Sequence, residues 1–276
     1  MSNRALIEEA FERRTQLTTE ELSALVPPIE TGLAALERGE LRAARAQEGQ
    51  WVCDTFVKKL ILLSFLTREN TVGETNPGRP KSYDKLPLKF EQWDDAAFRD
   101  ACIRVVPGAV VRAGAYIAPG AVLMPCFINI GAYVGEGTMI DTWSTVGSCA
   151  QVGSRCHISG GVGLGGVLEP IGDNPVVIED NVFIGARSEV AEGVIVRSGA
   201  VIGMGVYLGA STPIIDRASG EVRFGEVPAN AVVIAGNRAD PKLPGVSLAC
   251  AVIVKYVDER TRSKTALNDL VRALSR

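Results

Sequence analysis

Histidine is almost absent from this sequence, which has a single one, His157, among its 276 residues. A zinc site held by three histidines of one chain is therefore excluded, because catalytic zinc takes three protein ligands. Such a site would need ligands from other subunits or from other residue types. We expect no metal site in this protein.

Long hydrophobic runs are also missing. The longest, Leu248 to Val254, is far shorter than the roughly 20 residues of a transmembrane helix. The N-terminal stretch MSNRALIEEAFERR lacks the apolar core of a signal peptide. The six cysteines form no CxxC pair, which is typical of reduced structural thiols. We expect a cytoplasmic protein with no membrane partner.

Charge of one sign is not in excess, since 29 basic residues stand against 32 acidic ones and give a net charge of −3. A nucleic-acid surface is disfavoured, because such surfaces need a basic excess. With 46% hydrophobic residues the chain can bury a sizeable core, and its length allows one or two domains. We expect small molecules, and no nucleic acid, as its ligands.

Aliphatic residues recur every six positions through the second half of the chain. The first series is Val110, Tyr116, Val122, Ile128, Val134, Ile140, Val146, Val152, Ile158 and Leu164, and the second is Ile178, Ile184, Val190, Val196, Ile202 and Leu208. A period of six fits neither a helix nor an ordinary alternating strand. It is the hexapeptide signature of a parallel β-helix with three sides.

Small residues accompany this period. Two positions before the apolar sites stand Gly108, Gly114, Gly120, Cys126, Ala132, Thr138, Ser144, Ala150 and Cys156. Glycine often follows the apolar site, for example at Gly135 and Gly147, where we expect it to supply the positive φ of a corner. The frame is ambiguous by one residue at the start, because Val111, Ile117 and Leu123 also repeat. Few aromatics, at 6%, suit a narrow prism.

Three segments follow from this pattern. Residues 1–103 are predicted to be a mainly helical domain, residues 104–237 the β-helix, and residues 238–276 a cap with a strand at 248–257 and a helix at 261–274. Within the β-helix, GGVLEPIGDNP is predicted to form a protruding loop and IIDRASGEVRFGEVP a hairpin that turns at Ser219-Gly220. Loops on a rigid solenoid are where a site is usually built.

Two carboxylates interrupt the repeat in unusual places. Asp141 follows the apolar Ile140 where most hexads carry a small residue, and Trp143 lies two positions on. Glu189 precedes Val190 and should face outward, with Arg187 nearby. Both have structural alternatives: Asp141 as a corner cap that accepts backbone N–H groups, and Glu189 as half of a solvated pair with Arg187.

His157 should also face outward, because it precedes the apolar Ile158. Many hexapeptide acyltransferases use a histidine as general base, and the alternative is a surface or structural role. Counting hexads around a three-sided prism places Asp141 and Glu189 on different faces. They would meet only at a contact between prisms packed side by side.

Longer motifs resemble one family over nearly the whole chain. They are RVVPGAVVRAGAYIAPGAVLMP (104–125), NIGAYVGEGTMIDTWSTVGSCAQVG (129–153), HISGGVGLGGVLEP (157–170) and FIGARSEVAEGVIV (183–196), supported by FERR, GQWV, LLSF and CAVIVK. These resemble the tetrahydropyridine-dicarboxylate N-succinyltransferases of bacterial lysine and diaminopimelate synthesis. The combination of DTW, HISGGVG, GGVLEP and GARSEV is specific, although a single hexad is not.

The resemblance implies a homotrimer of left-handed β-helices that uses succinyl-CoA as co-substrate, with no tightly bound cofactor. Carried over by matching motif, Arg104 and Asp141 contact the amino-dicarboxylate and Glu189 is the second essential carboxylate. The fold class expected is therefore mainly β, a left-handed parallel β-helix with an N-terminal helical domain and a small C-terminal cap.

The chemistry of succinyl transfer gives these residues tasks. An arginine fork such as Arg104 recognises a substrate carboxylate, and a carboxylate takes the proton of the attacking amine. Asp141 is the first candidate for this base and Glu189 the second. Further predicted contacts to succinyl-CoA are Arg187 at the succinyl carboxylate, backbone N–H groups of Gly165-Gly166 or Gly203 to Gly205 at the oxyanion, and Lys255 at the phosphates.

Two other functions stay open on the residues alone. One is a hexapeptide acyltransferase that acts on another acceptor, such as a sugar amine or serine. The other is a solenoid without catalytic activity, used for assembly or ligand binding. Assays of substrate depletion with these acceptors separate the first alternative from succinyl transfer.

Overall fold

Three sheets of short parallel strands wind around one core in the computed structural model, which describes residues 2–73 and 82–257. Sheet 1 contains Arg104–Val105, Val122–Leu123, Met139–Ile140, His157–Ile158, Phe183–Ile184, Val201–Ile202 and Ala231–Ala239, followed by Ser247–Tyr256, Ile214–Asp216 and Val222–Arg223. Sheet 2 contains Val110–Val111, Phe127–Ile128, Thr145–Val146, Gly163–Leu164, Glu189–Val190 and Tyr207–Leu208. Sheet 3 contains Tyr116–Ile117, Tyr133–Val134, Gln151–Val152, Val177–Ile178, Ile195–Val196 and Glu226–Val227.

Each coil visits the three sheets in turn and then pairs with the coil below it. Met139 pairs with His157 and Ile140 with Ile158, so a regular coil takes 18 residues. The second residue of each strand points inward, and these side chains form a continuous apolar core. The predicted fold class, a mainly β parallel β-helix with a helical N-terminal part, is confirmed.

In the first three hexads the inward residue is one position later than in the predicted series. Val111, Ile117 and Leu123 belong to the core, whereas Val110, Tyr116 and Val122 take the outward strand position. The predicted series is therefore wrong at these three sites. Its cause is a shortened corner, because only three residues, 124–126, link Val122–Leu123 to Phe127–Ile128 where other corners have four.

The glycines that follow the inward residues have a different role from the predicted one. Gly135 has no positive φ; a Cβ added there would lie 2.5 Å from the backbone carbonyl of Gly153 in the next coil. Positive φ occurs instead three positions before most inward residues, for example at Gly131 (75°) and Gly137 (62°). The glycine at position 135 is thus required by the close approach of two coils.

Among the described residues, the N-terminal part contains four helices, one hairpin and one further antiparallel strand pair. Helix α1 is Asn3–Glu12, α2 is Thr19–Glu37, α3 is Thr55–Leu66 and α4 is Asp95–Ala101; the hairpin pairs Ala44–Gln47 with Gln50–Cys53, and the further pair is Thr71–Val72 with Tyr83–Asp84. Thr18 and Glu21 close a full capping box at the start of α2, in which each side chain accepts from the backbone N–H of the other residue. The apolar stretch at 56–65 lies within α3.

This N-terminal part packs on sheet 3. Ile130 and Cys149, from corners of the β-helix, belong to the apolar cluster of helices α1 to α3. The hairpin Ala44–Cys53 crosses the same face, where the Trp51 indole donates to Glu179 at 2.9 Å and Arg197 donates to the Gly49 carbonyl. Sheet 3 is therefore covered, whereas most outward residues of sheet 2 are exposed. The division of the chain at 103 and 237 stays a prediction.

The predicted loop is present, with an exposed polar part and an apolar part that packs against the helices. It forms one enlarged corner of twelve residues, 165–176, between sheets 2 and 3, and hides no extra hexad. Lys58 of α3 is fully buried and its Nζ donates to the carbonyls of Pro170 (3.3 Å) and Asp173 (2.6 Å). Leu168 and Ile171 pack against the helical cluster. The loop thus joins the β-helix to α3.

Antiparallel strands close the C-terminal end. The predicted hairpin is present, with Ile214 paired to Arg223 and the turn held by the Asp216 carboxylate, which accepts from the backbone N–H groups of Ala218 and Ser219. Ser247–Tyr256, the predicted cap strand, runs antiparallel to Ala231–Ala239. The helix predicted at 261–274 lies outside the described residues.

The cysteines are free thiols, and four of the six, Cys126, Cys149, Cys156 and Cys250, are buried. Burial raises the pKa of both Cys126 and Cys149 to about 12, so these thiols stay protonated at neutral pH. Among the described residues, none of the helices combines the length and apolar character needed to cross a membrane.

Candidate functional site

Asp141 lies at the corner where the chain passes from sheet 1 to sheet 2. Its backbone N–H donates to the Ile158 carbonyl at 2.8 Å, which fixes the residue to the next coil. Its Oδ1 accepts from the backbone N–H of Thr142 at 2.6 Å and from the Thr142 hydroxyl at 3.2 Å. One oxygen therefore acts as the predicted corner cap. Among the described residues the other, Oδ2, has no hydrogen bond, which leaves it for a ligand.

Trp143 extends the corner that Asp141 begins. It occupies the left-handed region with φ 61° and its side chain is 72% exposed. A large aromatic ring in such a conformation is rarely tolerated without a tertiary reason. An exposed ring beside a half-buried carboxylate is typical of a surface that a partner covers.

Glu189 and Arg187 lie two coils further along the same edge. Arg187 is at the corner between sheets 1 and 2 and Glu189 is the outward residue of its strand in sheet 2. Each side chain lies across a glycine of the coil below: a Cβ at Gly161 would be 2.7 Å from Arg187, and one at Gly163 would be 1.8 Å from the Glu189 carboxylate. The two charged groups make no ion pair with each other within the described structure.

The two glycines were not predicted as functional. In sheet 2 the other outward positions carry Val110, Phe127, Thr145, Glu189 and Tyr207, so a glycine at 163 is the one departure. Its missing side chain provides the space into which the Glu189 carboxylate folds. The motif HISGGVG contains this glycine, but its importance is recognised only when position 163 is known to be an outward position of a strand.

The prediction that the two carboxylates lie on different faces is only partly right, because Asp141 is at the corner that sheet 2 adjoins and the two residues are separated mainly along the axis. Asp141 follows a strand of sheet 1, whereas Glu189 is in sheet 2, two strands beyond Thr145 of the Asp141 coil. With about 4.8 Å between neighbouring strands, this places them about 10 Å apart along the axis. One substrate proton cannot be within hydrogen-bond distance of both in a single subunit.

Arg104 is exposed at the start of sheet 1, two strands before Met139–Ile140 and hence about 10 Å along the axis from the Asp141 coil. The structure therefore brings Arg104, Asp141, Arg187 and Glu189 to one side of the prism, formed by sheets 1 and 2, but not into contact with one another. Lys255 is exposed in the strand Ser247–Tyr256, where it pairs with Val232 at the far end of sheet 1.

His157 occupies the outward position of sheet 1 one coil above Met139. Its ring stacks on Phe183 with the centroids 5.1 Å apart and the planes 7° from parallel. This contact favours the structural alternative over the general base, because it immobilises the ring against the face of the sheet.

Most of the predicted oxyanion donors are already used by the β-helix. The N–H groups of Gly165, Gly203 and Gly205 donate to the carbonyls of Val190 (2.8 Å), Val233 (2.7 Å) and Ala186 (3.0 Å). That part of the prediction is wrong, because coil-to-coil pairing takes every second amide. Gly166 has no such bond among the described residues, but it lies at the corner of sheets 2 and 3. Gly203 and Gly205 remain at the corner of sheets 1 and 2 as small residues that let a ligand approach.

Metal ligands do not gather at this edge or elsewhere in residues 2–73 and 82–257, where no group of three His, Cys, Asp or Glu side chains is placed to hold an ion.

The class of protein follows from the β-helix. Residues 175–210 match the family model for the hexapeptide repeat of succinyl-transferase. A solved structure from Campylobacter jejuni, described as a putative 2,3,4,5-tetrahydropyridine-2-carboxylate N-succinyltransferase, has the same fold at a TM-score of 0.55 and 15% identity. That match covers 87% of this chain and 64% of that one. The protein is a hexapeptide-repeat transferase.

The family of this protein follows from sequence similarity over its full length. Residues 2–67 match the family model for the N-terminal part of tetrahydrodipicolinate N-succinyltransferase. The 2,3,4,5-tetrahydropyridine-2,6-dicarboxylate N-succinyltransferase of Granulibacter bethesdensis is 58% identical over 277 residues, which cover 99% of both chains. The enzyme of that name from Nitrobacter hamburgensis is 56% identical over 96% of both. The chain belongs to the 2,3,4,5-tetrahydropyridine-2,6-dicarboxylate N-succinyltransferase family.

Proposed function

We propose that this enzyme transfers the succinyl group of succinyl-CoA to the amine of tetrahydrodipicolinate, which reacts as ring-opened 2-amino-6-oxopimelate in the succinylase branch of lysine and diaminopimelate synthesis. The observation that carries this proposal is the 58% identity with an enzyme of that name over 99% of both chains. We place the reaction in the cytoplasm, where succinyl-CoA is found.

The reaction needs a neutral amine, because an ammonium has no lone pair to attack a thioester. The amine nitrogen bonds to the succinyl carbonyl carbon, the carbon–sulfur bond breaks, and coenzyme A leaves as a thiolate that takes up a proton. Asp141 holds the ammonium and takes its proton, for which Oδ2 is open while Thr142 fixes Oδ1. Arg104 binds a carboxylate of the acceptor through its guanidinium fork.

Glu189 has a separate task in this proposal. Prisms packed with parallel axes keep the offset of about 10 Å between the coils of Asp141 and Glu189. Asp141 therefore binds the acceptor amine, while Glu189 positions the acyl donor. Arg187, near Glu189, binds the succinyl carboxylate. Coenzyme A lies along the edge past Gly203 and Gly205, with a further contact at Lys255; the predicted contact at Gly166 is not on this edge, because residue 166 lies at the corner of sheets 2 and 3.

A homotrimer with active sites between subunits supplies the missing contacts. Four large apolar side chains are exposed along sheet 2 and its corner with sheet 1: Phe127 (38%), Trp143 (72%), Met204 (75%) and Tyr207 (62%). Apolar patches of this kind mark association surfaces. If three copies turn this corner toward a common axis, sheet 1 of one copy faces sheet 2 of the next. Asp141 and Glu189 then line one cleft from two different chains.

The activity is tested by release of coenzyme A. With succinyl-CoA alone we expect no thiol above background, and with tetrahydrodipicolinate or L-2-aminopimelate we expect continuous release. Because the protein has its own thiols, the released coenzyme A is measured by chromatography. A folded sample that releases coenzyme A with a sugar amine or serine instead supports the other acyltransferase function, and no release with any acceptor contradicts both.

The assembly is tested by sedimentation. We expect a particle of three times the chain mass of 29.3 kDa at micromolar concentration. Trp143→Ser removes an exposed side chain that has no role in the core of the single chain, and it should shift the equilibrium toward smaller species. A particle of one chain mass for the unaltered protein would overturn the proposed assembly.

A further inference from the structure

A cavity of about 310 Å³ lies far from the proposed catalytic edge, between the hairpin Ala44–Cys53 and the first residues of helices α1 and α3. It is lined by Arg4, Arg42, Arg45, Gln47, Val52, Cys53 and Asp54. The hairpin packs on sheet 3, which is the side of the prism opposite the edge of sheets 1 and 2. The cavity therefore belongs to neither the acceptor site nor the acyl-donor site.

The charges of the lining do not cancel. Arg4 is paired, with its Nη2 2.7 Å from Asp54 and its Nε 3.1 Å from Glu8. Within the described residues, Arg42 and Arg45 have no carboxylate at ion-pair distance. Arg45 donates to a backbone carbonyl, that of Glu40. Asp54 is the single acidic side chain of the lining, so the cavity carries an excess of two positive charges.

Arg42 is held rigidly in this cavity. Its Nε donates to the Gln151 amide oxygen at 3.0 Å, and its guanidinium carbon lies 3.6 Å from the centre of the Tyr133 ring. These contacts fix the plane of the group but use only one of its five N–H donors. The terminal nitrogens have no further hydrogen bond among the described residues.

The guanidinium of Arg42 is partly buried and lies close enough to Arg45 for the two charges to repel. Burial lowers the pKa of the guanidinium and the positive charge of Arg45 lowers it further, while Tyr133, Asp180 and Tyr116 act in the opposite direction. Two guanidinium groups that repel each other at a cavity of this size are stabilised when an anion binds between them.

We propose that this cavity is a binding site for a small dianion, a phosphoryl or dicarboxylate group, that accepts hydrogen bonds from Arg42 and Arg45. Arginine forks bind both groups through paired N–H···O bonds. The volume holds roughly ten water molecules at about 30 Å³ each, so it admits such an anion with part of its carbon skeleton.

Binding there acts on more than the hairpin. Trp51, in the second strand of the hairpin, donates to Glu179 of the β-helix, and Arg197 bridges Glu179 to the Gly49 carbonyl. Arg42 itself contacts Tyr133 and Gln151 of sheet 3. An anion that neutralises Arg42 and Arg45 therefore strengthens the attachment of the N-terminal part to the β-helix, and raises the temperature of unfolding.

The experiment measures the thermal midpoint of the full-length protein with inorganic phosphate, with malonate and with chloride at equal ionic strength. At a concentration one hundred times the dissociation constant, phosphate or malonate should raise the midpoint by roughly 5 °C over chloride. Comparison of phosphate with malonate identifies which dianion the site prefers.

Matched variants locate the effect. Arg45→Gln removes one exposed guanidinium of the cavity and should weaken dianion binding at least about tenfold, by calorimetric titration. Arg99→Gln, an exposed substitution on α4, should bind as the unaltered protein does. Arg104→Gln should also bind normally, since that residue is at the catalytic edge. The proposal is overturned if phosphate and malonate shift the thermal midpoint no more than chloride does. It is also overturned if the shift caused by the dianion is lost in Arg104→Gln and kept in Arg45→Gln.

Discussion

Asp141→Asn and Glu189→Gln are each expected to lower kcat/KM by at least ~10²-fold, the first because a general base is lost and the second because a misplaced acyl donor costs about as much. Both changes keep the shape of the side chain and remove its charge. Asparagine still accepts from Thr142 through its carbonyl oxygen, so the corner should keep its geometry. Steady-state release of coenzyme A with tetrahydrodipicolinate gives the two rate ratios.

Structural damage is separated from catalysis by two controls. Neither side chain belongs to the core, so both variants should keep the sedimentation coefficient and the thermal midpoint of the unaltered protein. His157→Ala loses the stack on Phe183 and should retain most of the activity. If His157→Ala abolishes turnover while Asp141→Asn leaves it intact, the assignment of the base to Asp141 is wrong.

Mixing the two inactive variants tests whether the site is shared. Under conditions of subunit exchange, some interfaces of mixed trimers receive Asp141 from one chain and Glu189 from its neighbour. A shared cleft should then regain part of the activity, whereas a site within one chain stays inactive because every chain lacks one carboxylate. Native mass spectrometry must show the mixed trimers; their formation without recovery of activity would refute the shared cleft.

Gly135→Ala is expected to destabilise the protein by about 3 kcal/mol, at the upper end for an overpacked site. The new Cβ would lie 2.5 Å from the carbonyl of Gly153 and 2.7 Å from the N of Ser154. Both are backbone atoms held by coil-to-coil hydrogen bonds, so no flexible side chain can move away. Differential scanning calorimetry at one protein concentration should show a midpoint of thermal unfolding roughly 10 °C lower than that of the unaltered protein.

Gly172→Ala is the matched control for this change. It is the same substitution at an exposed site without a positive φ, where an added Cβ meets no atom within 4 Å. Its effect should be within about 0.5 kcal/mol of zero, or slightly stabilising because alanine restricts the unfolded chain. Equal midpoints for the two variants would show that the coils can separate, and that the close approach does not require glycine at 135.

The core of the β-helix could be predicted from sequence because the pattern that creates it is local in the chain. Every inward residue obeys one steric rule, so a period of six identifies thirteen of the sixteen predicted positions without any knowledge of contacts. The three failures come from one shortened corner, at residues 124–126. A deletion of one residue moves the frame by one, and two adjacent apolar residues, such as Val110 and Val111, then hide the shift.

The contacts between distant segments could not be predicted in the same way. Lys58 reads as a surface residue in sequence, yet it is buried against carbonyls more than 110 positions away. Arg42 likewise finds Tyr133 and Gln151 only in the folded molecule. For the candidate site, the charged residues were predictable from motifs. The role of Gly161 and Gly163, across which the side chains of Arg187 and Glu189 lie, depends on how successive coils are stacked, and this is known only from the folded structure.

The antiparallel strand Ser247–Tyr256 also determines where sheet 1 stops adding parallel coils. A parallel sheet exposes unpaired backbone groups at its last strand, and such an edge templates further strands from other chains. Here an antiparallel strand covers that edge, and sheet 1 ends at the two-residue strand Val222–Arg223, which carries a charge. The edge of this sheet is thereby protected from pairing with parallel strands of a second copy.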